Sequence, residues 1–174
     1  MAKTGFQCAS CGKWHDELPL YFACDEPLYV AELSETDRAK YVTTLGDFRE
    51  LVRDGTRNYF VLGVVEIPIL GTNDTFGYGL WTSLSHESYV AARAALAKQA
   101  PAGSFFGWVS NRLDGYPDTI NLRSRVHMRA NTRPWIELEP TDHPLAVEQR
   151  NGITLERVHE IVQHALHRPP DPAR

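Results

Sequence analysis

Nine consecutive residues, Tyr59-Phe60-Val61-Leu62-Gly63-Val64-Val65-Glu66-Ile67, carry a single charge between them. A strand with one face in water alternates apolar and polar side chains. A run that is apolar on both faces is a strand covered on both sides. The chain is therefore expected to build its sheet around 59–67, with Pro68 at the end of the strand, because proline cannot donate to a ladder. A length of 174 residues is enough for one domain with a sizeable core and leaves little room for two.

Local signals on either side give the order of elements. Ser34 is placed to cap a short helical turn over 34–39, with Glu35 and Asp37 in its first turn. A strand over 47–52 runs into a tight turn at Asp54-Gly55. The next strand spans 76–84. There Gly77 and Gly79 face the same way, which predicts close approach of another backbone or a ring. Ser85 caps a helix reaching to about residue 99, with Tyr89, Ala92 and Leu96 as its seam. Strands follow at 105–111, 119–129 and 135–139. Pro144 opens a small helix that Asn151-Gly152 closes, and Thr154 caps a last helix with the seam Leu155, Val158, Val162 and Ala165. Strands in the middle with helices between and after them predict an α+β fold: a mostly antiparallel sheet, helices packed on one face, and an N-terminal metal-knuckle loop. The expected organisation is a single domain over 1–174, with a loop-rich cap at 1–27, a core at 28–168 and a loose tail at 169–174.

The cap holds the sharpest chemical signal, Cys8-Ala9-Ser10-Cys11-Gly12. Two thiolates at this spacing can face one ion, and Gly12 lets the chain leave the turn with positive φ. His15 is the candidate third ligand. Cys24 is the nearest candidate for a fourth, with His127 or His143 reaching back as alternatives. The expected ion is zinc in a structural role. A redox role for the pair is disfavoured, since such pairs start a helix and Gly12-Lys13-Trp14-His15 does not.

A second constellation lies on 119–129, where Arg123, Arg125, His127 and Arg129 project opposite Ile120, Leu122, Val126 and Met128. An odd-length turn or a bulge near Asn131 would bring Glu137 and Glu139 onto the cationic face. The structural reading is a salt-bridged surface hairpin. The functional reading is an anion-binding or acid–base surface made of Arg123, Arg125, His127, Trp135, Glu137 and His143. Asp142 and His143 are read first as caps for the helix that Pro144 begins.

The run Phe6-x-Cys8-x-x-Cys11-Gly12-x-x-His15-x-x-Leu18-Pro19 resembles the opening of a bacterial family known as domain of unknown function 2199. The likeness continues through Glu66-Ile67-Pro68-Ile69, Gly79-Leu80-Trp81, Phe106-Gly107-Trp108, Gly115-Tyr116-Pro117 and Arg133-Pro134-Trp135-Ile136-Glu137-Leu138-Glu139. It ends on His143-Pro144-Leu145-Ala146-Val147-Glu148-Gln149-Arg150-Asn151-Gly152-Ile153. The resemblance implies that Cys8, Cys11 and His15 form one feature, and it brings no activity with it. Cys24 is not part of the pattern.

Charge and hydropathy narrow the function classes. Lys plus Arg is 18 against 22 for Asp plus Glu, a net charge of −4, which disfavours a general nucleic-acid binder. No apolar run approaches the length of a membrane span, and residues 1–5 have no secretion-signal character, so a cytoplasmic setting is expected. Three cysteines fit metal binding in a reducing compartment better than a disulfide framework. The expected function is a zinc-stabilised binding or interaction module with a protein or small-molecule partner. The alternatives are a metal-dependent hydrolase using Cys8, Cys11 and His15, or a small-anion-binding protein.

Overall fold

The computed structural model describes residues 5–8, 11–98 and 103–167. A two-stranded antiparallel hairpin, β1 (Phe6–Gln7) with β2 (Trp14–His15), stands apart from the main sheet. Then come β3 (Tyr21–Ala23), α1 (Leu28–Ala31), α2 (Glu35–Tyr41), β4 (Val42–Leu45) and β5 (Phe48–Arg53). Two long strands, β6 (Thr56–Pro68) and β7 (Thr75–Leu84), form the centre. They are followed by α3 (His86–Ala97), β8 (Ser104–Val109), β9 (Arg123–His127), β10 (Trp135–Leu138), α4 (Pro144–Asn151) and α5 (Leu155–Leu166). The expected tail at 169–174 lies outside the described residues.

The apolar run sits in the middle of β6, which is antiparallel to β7 from Tyr59 opposite Leu84 to Pro68 opposite Thr75. Both of its faces are covered. Val65 and Ile67 join a cluster with Phe76, Leu80, Ile136, Val158 and Val162. Tyr59 and Val61 pack with Tyr89 and Ala92 of α3. Phe60 and Leu62, pointing the other way, pack with Val30 and Trp81. The glycines of β7 are small for the expected reason. A Cβ on Gly77 would meet the Tyr21 ring at 2.9 Å, and one on Gly79 would meet the Ala23 Cβ at 2.8 Å, because β3 lies parallel against β7 there.

The fold is α+β as expected, but the sheet is closed and of mixed direction, which corrects the expectation of a mostly antiparallel sheet with helices on one face. The neighbours β6–β7, β7–β8, β8–β9 and β9–β10 are all antiparallel, and β10 returns to pair with β6. Strands that alternate direction in an odd-numbered ring must close on a parallel pair, so β10 meets β6 in parallel. β3 adds a second parallel pairing, to β7. The hairpin β4–β5 extends β6 beyond the ring, with Asp54 and Gly55 both at positive φ in the β5–β6 turn. The helices consequently serve three different apolar clusters instead of one face.

Two helical seams also differ from expectation. In α3 the buried residues are Tyr89, Ala92 and Ala95, with Leu96 outside. In α5 they are Val158, Ile161 and Val162, with Leu155 and Ala165 outside. The strand expected over 119–129 begins only at Arg123. Asn121 adopts φ 62, and Thr119 staples the preceding loop, its hydroxyl donating to the Asn111 carbonyl at 2.6 Å and accepting from the Leu113 amide at 3.1 Å.

The closing seam is thin. Val64 N–H donates to Pro134 O at 2.8 Å, and Trp135 opposite Val64 is the one register pair between β10 and β6. Farther along β10 a side chain stands in for a strand. The Gln149 amide donates to Ile136 O at 2.7 Å and accepts from Leu138 N–H at 2.8 Å. The position of α4 makes this possible: His143 caps its start, Pro144 is its first residue, and Gly152 at φ 79 ends it. Ile153 then bridges in parallel to Ile69. Gln149→Leu keeps the volume and strands two buried backbone groups. It is expected to cost about 2–4 kcal/mol and to lower Tm by roughly 5–15 °C. An unchanged thermal melt would show that Gln149 does not close the barrel.

Candidate metal centre

The first hairpin folds back on itself through two backbone bonds, Gly12 N–H to Cys8 O at 2.8 Å and Cys8 N–H to Lys13 O at 2.9 Å. Gly12 has the expected positive φ, +68°. Cys8 is fully buried against the cluster that holds Val158 and Val162, while Cys11 is exposed. His15 sits on β2 opposite Phe6, and its ring stacks on the Phe6 ring at 5.1 Å. Its Nε2 lies 3.7 Å from Cys11 Sγ.

The fourth group comes from the far end of the described chain. His167 is the C-cap of α5, and its Nε2 lies 2.9 Å from Cys8 Sγ. The donor atoms of Cys8, Cys11, His15 and His167 all lie within 4.8 Å of one another. Around a tetrahedral zinc, with Zn–S near 2.3 Å and Zn–N near 2.0 Å, a sulfur–nitrogen edge is about 3.5 Å. Small side-chain rotations bring this set to that geometry, and two sulfurs with two imidazoles are a known structural zinc donor set. A second contact reinforces the same junction, since Phe6 is sandwiched between His15 and His159 of α5, the latter at 5.4 Å.

Cys24 does not take the fourth position. Its N–H donates to Gly79 O at 2.9 Å and its carbonyl accepts from the Trp81 indole at 3.1 Å, which ties it to the edge of β7. Neither His127 nor His143 reaches the knuckle. His127 bonds Glu137 at 2.8 Å and stacks on Trp135 at 4.8 Å, and His143 accepts from Leu145 N–H at the start of α4. His167 is not on the apolar seam that a helical wheel of α5 predicts. The wheel fails there because the residue lies past the last turn, with φ −111°.

The charged hairpin forms as the odd-length connection requires. With 128–134 between the strands, Arg125 faces Glu137, and just past the paired residues Glu139 N–H donates to Arg123 O at 2.9 Å. Arg123 pairs with Glu139 at 3.2 Å and lies over the Phe106 and Trp108 rings. Arg129 leaves the row to bond Glu66 at 2.7 Å and the Arg133 carbonyl at 2.9 Å. Of the six candidate ligand-binding residues, Arg123, Arg125, His127, Trp135 and Glu137 share the outer face of this hairpin, while His143 stands apart at α4. Arg125→Ala is expected to change stability by less than about 1 kcal/mol, as for an exposed charge. A larger loss in a urea melt would show that the ladder holds the sheet together.

Sequence reasoning did not locate a cavity beside α5. About 450 Å³ in volume, it is bounded by residues 22–24, Tyr78, the 112–116 loop and α5. Behind it the Tyr116 hydroxyl donates to Glu148, whose other oxygen accepts from Arg157 Nε at 2.9 Å. Burial pushes the Tyr78 phenol up to about 12, and raises Tyr116 well above the ordinary phenol range.

Nothing among curated proteins and nothing among solved structures matches the chain. A family model does match, over residues 7–153, an interval that takes in Cys8, Cys11 and His15 and ends before α5. The chain belongs to the family described as an uncharacterized protein conserved in bacteria, domain of unknown function 2199.

Proposed function

We propose that this protein is a zinc-stabilised binding module in which the metal is structural. The observation that carries the reading is the closed donor set: Cys8, Cys11, His15 and His167 supply four protein ligands at one point. A catalytic zinc keeps one position for water and has a general base beside it. The cluster includes no carboxylate among the described residues, so the count favours the structural role over a hydrolase. The anion-binding reading is weaker, because its arginines lie on an exposed face with carboxylates opposite them.

In this reading the metal joins the N-terminal hairpin to the end of α5 and so binds together two segments that the barrel does not hold by strand pairing. The partner is a protein or a small molecule. Thiolate ligands are best kept in a reducing compartment, which supports a cytoplasmic location. No helix among the described residues is long and apolar enough to cross a membrane.

Protein purified without added metal and kept reduced should contain close to one zinc per chain by elemental analysis. A strong chelator should lower Tm while leaving far-UV circular dichroism largely intact, since the barrel has its own core. His167→Ala should lose zinc to a competing chelator sooner than wild type, and Cys24→Ser should not. Metal-free protein, or a Cys24→Ser variant that loses zinc while His167→Ala keeps it, would contradict the assignment.

A further inference from the structure

The cavity beside α5 is of a size that takes small molecules. Polar and apolar surface share its walls, the apolar part coming from Phe22, Leu113 and Ile161 beside the Tyr78 and Tyr116 rings, which meet edge to face at 6.0 Å. The charges around it are spent on one another. Arg157 donates to Glu148 at 2.9 Å and to Glu160 at 3.1 Å, Arg112 is 3.5 Å from Asp118, and Asp114 is engaged as well. The Tyr116 hydroxyl is committed to Glu148. His164 stands at the exposed rim. An ion drawn against the inner wall would compete with the half-buried Arg157–Glu148 pair or go without a counter-charge, and either is costly. A neutral ring meets aromatic edges and faces. A phenol is neutral at neutral pH, and burial raises both of these further, so they add no charge of their own.

The outer wall of the cavity is α5, which contributes Arg157, Glu160, Ile161, His164 and Ala165. Most of these lie between the two points where the helix meets the first hairpin, His159 against Phe6 and His167 against Cys8. The metal centre therefore holds the free end of the cavity's wall.

We propose that this cavity is the ligand site of the module, that it takes a small uncharged aromatic molecule, and that the metal keeps it formed by pinning α5. The proposal rests on the reading of the protein as a metal-stapled binding module.

Two fluorescent probes with the same aromatic body test it: neutral N-phenyl-1-naphthylamine and its anionic relative 8-anilinonaphthalene-1-sulfonate. Each is titrated into the full chain, with zinc content measured on the same sample. The neutral probe should saturate at one per chain and bind at least about tenfold more tightly than the anionic one, a difference of about 1.4 kcal/mol. Ala165→Phe from the helix side, or Leu113→Trp from the loop side if the first variant does not fold, should abolish saturable binding while zinc is retained. Chelation should do the same to wild type. Equal or tighter binding of the anionic probe, or binding untouched by the filled cavity, would overturn the proposal. If the chain holds zinc but binds the neutral probe equally well without it, the coupling fails and the metal assignment stands. If it holds no zinc, both fail.

Discussion

The antiparallel ladder between β6 and β7 is the interaction on which the rest of the molecule depends. Each of these strands is long enough to serve two partners on its outer edge. β6 carries β5 along its first half and meets β10 at Val64, and β7 carries β3 at 77–79 and β8 at Thr82 and Ser83. The barrel and the outlying hairpin therefore share one spine. The residues from Tyr59 to Ile67 are almost all apolar because side-chain clusters pack on both faces of this strand.

Closure follows from that spine at one weak point. β10 pairs with β6 at one position, and beyond it the Gln149 side chain from α4 takes up the hydrogen bonds of its edge. The helices are thus part of the barrel's hydrogen bonding as well as its covering. α4 closes the seam, and α5 packs Val158 and Val162 beside the buried Cys8. This route connects the central ladder to the Cys8, Cys11, His15 and His167 cluster through continuous packing.

What the sequence revealed was what local chemistry dictates. Ser34, Ser85 and Thr154 each cap the helix they precede, and Gly77 and Gly79 are small where Tyr21 and Ala23 approach. The positive φ at Gly12 belongs to the same class of signal, as does the odd connection that sets Arg125 against Glu137. Barrel closure was not legible, because an open and a closed sheet of alternating strands have the same local pattern. The three knuckle residues were legible because they fall within eight positions of one another along the chain. Their fourth companion was not, because His167 meets Cys8 across 159 positions. Cys24 was the nearest thiol in sequence, yet the hydrogen bonding of its backbone to β7 holds it half-buried there. The cavity was also hidden, since its walls come from four separate segments.

The central claim is that one metal ion joins the start of the described fold to its end through two sulfurs and two imidazoles. X-ray absorption fine structure at the zinc edge, on protein purified without added metal, tests this directly. The account predicts two sulfur scatterers near 2.3 Å and two nitrogens near 2.0 Å, with the outer-shell features of imidazole. A shell with three sulfurs would restore Cys24 as a ligand. A shell with an oxygen in place of the second imidazole would leave His167 out and open the site to water. Either result would contradict the staple.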